Sequence, residues 1–108
     1  MKVLFVTDDL YKIQGSDIYE YAKFYLSRGD SVTVATLGKC PDYDNVMNRL
    51  FRDIGIEIQD LSKLTPSTHY DLIYQQHSST SNPTFVGIRK DLGEGVVIVC
   101  HKQVIKRN

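Results

Sequence analysis

Apolar residues follow two rhythms along this chain. Val3 to Val6 is an unbroken apolar run of the kind found in strands buried on both faces, and it ends at Thr7-Asp8-Asp9. After a loop through Gly15, Ser16 is placed to cap a helix, with Asp17 and Glu20 in its first turn. Ile18, Tyr21, Ala22, Tyr25 and Leu26 recur at helical spacing, and Arg28-Gly29 closes that helix with a basic residue and a C′ glycine. Val32 and Val34, flanked by Thr33, Ala35 and Thr36, make a second strand. A loop from Leu37 to Tyr43 leads to a second helix over about Asp44 to Ile54. Met47, Leu50, Phe51 and Ile54 form its apolar face, and Gly55 stops it. The alternation Ile56-Glu57-Ile58 predicts a short, half-buried third strand near a sheet edge.

Leu61 to His69, containing Pro66, is a connection of weak character. Asp71 then leads into a fourth strand, Leu72-Ile73-Tyr74, followed by a serine-rich loop from Gln75 to Asn82. Asn82-Pro83 starts a third helix, with Phe85, Val86, Ile88, Arg89 and Leu92 before Gly93. Val96 to Cys100 is a fully apolar fifth strand. Strands alternating with helices imply right-handed crossovers and a parallel sheet. The expectation is a single α/β domain spanning all 108 residues. Its Rossmann-like sheet has the order 3-2-1-4-5, with helices on both faces. Ligands in such sheets sit at the carboxyl ends of the strands, beside the switch point between the first and fourth. Three loops meet there: Thr7 to Ser16, Gln75 to Asn82, and His101 onward.

Composition narrows the function. Thirteen basic residues balance thirteen acidic ones, so no global field favours nucleic acid. Lys102, Lys106 and Arg107 are the one local charge run. No stretch reaches transmembrane length, which leaves peripheral membrane association as the remaining way to meet a bilayer. Cys40 and Cys100 form no Cys-x-x-Cys pair, so a reducing cytoplasm is expected, with neither a disulfide nor a structural metal.

The candidate chemistry lies on the ligand edge. Gly15-Ser16 opens the first helix, where free N–H groups attract anions; an ordinary turn and cap would use the same residues. His77 and His101 fall at strand ends on that edge, suited to donate to an anionic or hydroxylated ligand or simply to end their strands. Asp8-Asp9 could hold a metal or sugar hydroxyls, or cap the loop. His69 sits at the opposite end of the fourth strand and reads as structural.

Several segments, in order, carry a resemblance. They are Met1 to Thr7, Gly15-Ser16, Tyr25 to Val34 (Tyr-Leu-Ser-Arg-Gly-Asp-Ser-Val-Thr-Val), Tyr70-Asp71-Leu72-Ile73-Tyr74 and Val97 to His101. Together they look like the start of GT-B glycosyltransferases, especially the retaining family-4 group, over nearly the whole chain. Members open with a Lys-apolar strand, a Gly-Gly loop, an amphipathic helix and Arg-Gly-His before a Val-Thr-Val strand. Their fifth strand ends in a histidine. The resemblance implies that Gly15 and Ser16 face the donor's diphosphate and that His101 reaches the donor sugar near the reacting centre. It also implies that the first loop, with Asp8 and Asp9, and the loop after the fourth strand, with His77, serve the acceptor. The donor would be a nucleotide sugar, a substrate rather than a cofactor. The acceptor would be a glycan, a lipid or a small molecule, in polysaccharide biosynthesis or a related pathway.

Ser16 replaces the family's second glycine, Asp30 its histidine after Arg-Gly, and Tyr74 and Gln76 stand where many members have histidines. The family's second, donor-binding domain with its paired glutamates is not in this chain. The resemblance therefore implies an N-terminal, acceptor-side domain that needs a C-terminal domain or partner chain and is inactive alone. Two other readings stay open. A receiver-like phospho-acceptor domain would use Asp8-Asp9, Lys102 and Asp60 at the end of the third strand. A non-catalytic accessory domain would share the fold without the chemistry.

Overall fold

The strand that opens the chain is the centre of a parallel sheet. The computed structural model describes residues 1–7, 13–36, 46–67, 69–77, 91–93 and 96–100. In order, the elements are β1 (Lys2–Thr7), α1 (Ile13–Ser27), β2 (Ser31–Thr36), α2 (Val46–Asp53), β3 (Ile58–Asp60), a 3-10 turn (Leu61–Lys63), β4 (Leu72–His77) and β5 (Val96–Cys100). β1 lies between β2 and β4, β3 joins β2 at one edge, and β5 joins β4; every pairing is parallel. The order is β3-β2-β1-β4-β5, a Rossmann-like α/β arrangement that reverses direction between β1 and β4, as the element order predicts.

An unbroken apolar run suits β1 because both of its faces are covered: Val3, Leu4, Phe5, Val6 and Thr7 are all 1% exposed or less. Val3, Phe5 and Val34 pack against Ile18 and Ala22 of α1 and Phe51 of α2. Leu4, Val6, Ala35 and Ile73 pack on the other side against Leu61, Tyr70 and Leu92. α1 and α2 thus share one face, as two right-handed crossovers stepping in the same direction require. The return from β3 to β4 reverses that direction and crosses the opposite face. The third helix expected there lies outside the described residues, except for Asp91 and Leu92, which form a turn and a bend. Among the described residues, α-helices cover one face only.

Both helices end as their glycines predict. Asp30 N–H donates to Tyr25 C=O at 3.1 Å and Gly29 N–H to Leu26 C=O at 3.0 Å, with Gly29 at φ +87°. These are the two bonds of a Schellman closure, and Gly55 at φ +84° closes α2 in the same way.

Three boundaries differ from expectation. α1 begins at Ile13, so Ser16 is not its cap and Asp17 falls beyond the first turn; an apolar face fixes a helix's phase but not how far it extends upstream. β3 begins at Ile58 rather than Ile56, because Ile56 N–H is spent closing α2 on Phe51 C=O at 2.8 Å. β4 continues through Gln75 and Gln76 to His77, because β1 and β5 offer ladder partners on both sides.

Candidate functional site at the carboxyl edge

The carboxyl ends of the strands line up in one register row. Asp60 of β3 pairs with Thr36 of β2, Thr36 with Thr7 of β1, Thr7 with Gln76 of β4, and Gln76 with Val99 of β5. One residue further, His77 pairs with Cys100. Polar residues thus end four of the strands, Thr7, Thr36, Asp60 and His77. β1 runs up to this edge and α1 starts soon after it. The leading N–H groups of its first turn, Ile13 to Ser16, have no acceptor within the helix. Gly15 is the third residue of α1, and the helix's positive end is directed at the same edge.

Thr7 is fully buried and Thr36 is 4% exposed. The Thr36 hydroxyl oxygen is buried and has no hydrogen-bond partner among the described residues. Leaving such a group unpaired costs about 1–3 kcal/mol, so a donor supplied from above the sheet would be favourable there. Asn48, in the first turn of α2, is also buried. Neither Thr36 nor Asn48 stood out in the sequence, because isolated polar residues beside apolar runs look like loop borders.

Asp60 is committed locally. Its Oδ1 accepts from the Ser62 hydroxyl at 2.8 Å and from Ser62 N–H at 2.9 Å, capping the 3-10 turn. The Ser62 hydroxyl bond first, then the backbone bond, hold its carboxyl below the usual carboxylate range. β3 is also separated from β1 by β2. In the flavodoxin-like order 2-1-3-4-5 the third strand adjoins the first. The receiver-like arrangement of Asp60 beside the end of β1 therefore does not form.

Tyr74 serves packing. Its ring lies 5.4 Å from that of Phe5 and 5.6 Å from that of Tyr21, between the sheet and α1. Burial first, then the neighbouring Tyr21 and Asp17, push its phenol up to about 12.

Of the expected site residues, His77 is the last residue of β4, and Gly15 and Ser16 lie in the first turn of α1. Asp8, Asp9 and His101 lie outside the described residues. His69 is exposed near the opposite end of β4. Among the described residues no three potential metal ligands cluster, and no helix is long and apolar enough to cross a membrane. Comparison of the chain with protein-family models, with curated proteins and with solved structures finds no match.

Proposed function

We propose that this chain is the N-terminal, acceptor-side domain of a GT-B glycosyltransferase like those of the retaining family-4 group. It would act in the cytoplasm with a C-terminal donor-binding domain or partner chain. The observation that carries the reading is the coincidence at one edge of α1's free first turn, containing Gly15, and the paired strand ends His77 and Cys100, with His101 next in the chain. The order β3-β2-β1-β4 supports it by putting the switch point at β1, the strand that precedes α1 and its Gly15.

In the complete enzyme the departing nucleoside diphosphate gains negative charge as the glycosidic bond breaks. Fixed N–H dipoles at the start of α1 would stabilise that charge more than the ground state. His101 would orient the donor sugar, while Asp8, Asp9 and His77 would meet acceptor hydroxyls. The chain alone would transfer no sugar, because the base and ribose contacts belong to the other domain.

Uridine and guanosine diphosphates titrated into the 15N-labelled chain test this. Amide shifts should grow at Gly15 and Ser16 with a Kd of about 1 mM or weaker, leaving Lys2 and Asp71 at the opposite edge still. No shift at α1, or larger shifts at the amino edge, would remove the diphosphate assignment. In the complete protein, His101→Ala should lower transfer while the melting temperature holds.

A further inference from the structure

The two edges of the sheet are built differently. β3, at one edge, is three residues long and ends in Gln59-Asp60, short and polar as exposed edges are. β5, at the other, is Val96-Val97-Ile98-Val99-Cys100, an apolar strand with no charge, proline or glycine. β4 takes one side of it, in the parallel register that runs from Ile73 with Val96 to His77 with Cys100. Among the described residues no strand takes the other side, so a row of backbone N–H and C=O groups there is open to pairing. All but Cys100 are β-branched, the composition of an interior strand rather than of an edge.

A parallel neighbour from the same chain needs a crossover of about a dozen residues, whereas a second copy can lay its own β5 antiparallel with no connection at all. Hydrogen-bond geometry then fixes the register. Alternate residues of a strand turn both backbone groups to the same side, and antiparallel neighbours exchange both bonds between the same two residues. Outward-turned residues of one copy must therefore oppose outward-turned residues of the other, so the two residue numbers of each pair have an even sum. The even register that uses the whole strand sets Ile98 opposite Ile98, Val97 opposite Val99 and Val96 opposite Cys100. That is a two-fold contact in which every pair is apolar. The edges left outermost are the two short β3 strands, so assembly closes at a dimer.

We infer that this chain self-associates edge to edge, β5 of one copy pairing antiparallel with β5 of a second about Ile98 to make one continuous sheet. A strand pair this short buries less than the roughly 1,200 Å² typical of stable complexes, so the dimer is weak and concentration-dependent.

Sedimentation velocity on the full chain, from about 10 µM to 1 mM, should show a monomer–dimer equilibrium within that range. Ile98→Lys sets two ammonium groups opposite each other and should weaken it by about tenfold, with circular dichroism to check the fold. Disulfide trapping reads the register and does not depend on that variant folding. In a Cys40→Ser background, Val96→Cys places a thiol opposite Cys100 of the second copy, and copper phenanthroline as oxidant should give a covalent dimer. Val97→Cys, which opposes Val99, should not. A monomer throughout the range overturns the inference, and it is the result expected if another partner or another segment of the chain holds this edge. Dimerisation indifferent to a folded Ile98→Lys overturns it as well, as does trapping through Val97→Cys in preference to Val96→Cys.

Discussion

Asp71 and Lys2 hold each other's backbone at the amino edge of the sheet. Asp71 Oδ2 accepts from Lys2 N–H at 2.7 Å, and Asp71 N–H donates to Lys2 C=O at 2.8 Å. The pair sets the register of β4 on β1, one step before Val3 meets Leu72. Asp71→Ala should lower stability by about 1–2 kcal/mol in urea unfolding, and Asp71→Asn, which keeps an acceptor, by less than half of that. Equal losses would mean that the carboxylate's acceptor role is not what matters.

Two glycines should respond in opposite proportion to their apparent freedom. Gly29 has φ +87° and open space where a Cβ would stand, so Gly29→Ala should cost only the left-handed strain, about 1 kcal/mol. Gly93 has no such φ, but a Cβ there would run into the Tyr70 carbonyl oxygen, where the two residues form a parallel bridge. The obstacle is backbone, so Gly93→Ala should cost about 2–3 kcal/mol. Thermal melts of the two variants give the ranking; the reverse order would mean that β4 can move aside.

Tyr74 predicts an alkaline limit to stability. Its phenol titrates near 12 in the fold, against about 10 when unfolded. Between those values the folded state binds more protons than the unfolded one. This contribution is therefore complete below pH 10 and is lost as pH rises from 10 toward 12. Absorbance at 295 nm should show a late tyrosine step that Tyr74→Phe removes, and the variant's stability should fall less across that window. An unchanged late step would assign it to another tyrosine.

Phe51 and Phe24 separate core from surface. Phe51 is fully buried and packs edge to face on Tyr19 at 5.5 Å, so Phe51→Ala should cost about 3–5 kcal/mol. Phe24 is more than half exposed, and Phe24→Ser should change monomer stability by no more than about 0.5 kcal/mol. Denaturant midpoints on dilute protein decide it. A large loss at Phe24 would make its ring part of the core.

Where side chains alternate between faces, or recur every three to four residues, the elements were legible in the sequence. The apolar run of β1, the helical face around Ile18 and Ala22, and the closures at Gly29 and Gly55 were readable because each rests on local chemistry. Strand ends were harder. Gln75, Gln76 and His77 look like a polar loop, yet they are strand because β1 and β5 flank them. The start of α1 was misplaced because Ser16 is as good a residue for a cap as for a first turn.

By itself, then, the sequence determined the alternation of strands and helices and, through crossover handedness, a parallel sheet reversing beside β1. These follow from periodicity and chirality, which every short segment carries. Only the tertiary structure decided which residues share an edge. It set Asp60, Thr36 and Thr7 in one row, buried the Thr36 hydroxyl without a partner among the described residues, and left Phe24 open to solvent on α1. Such facts depend on register and on what packs above each strand, and neither is written in any single stretch of chain.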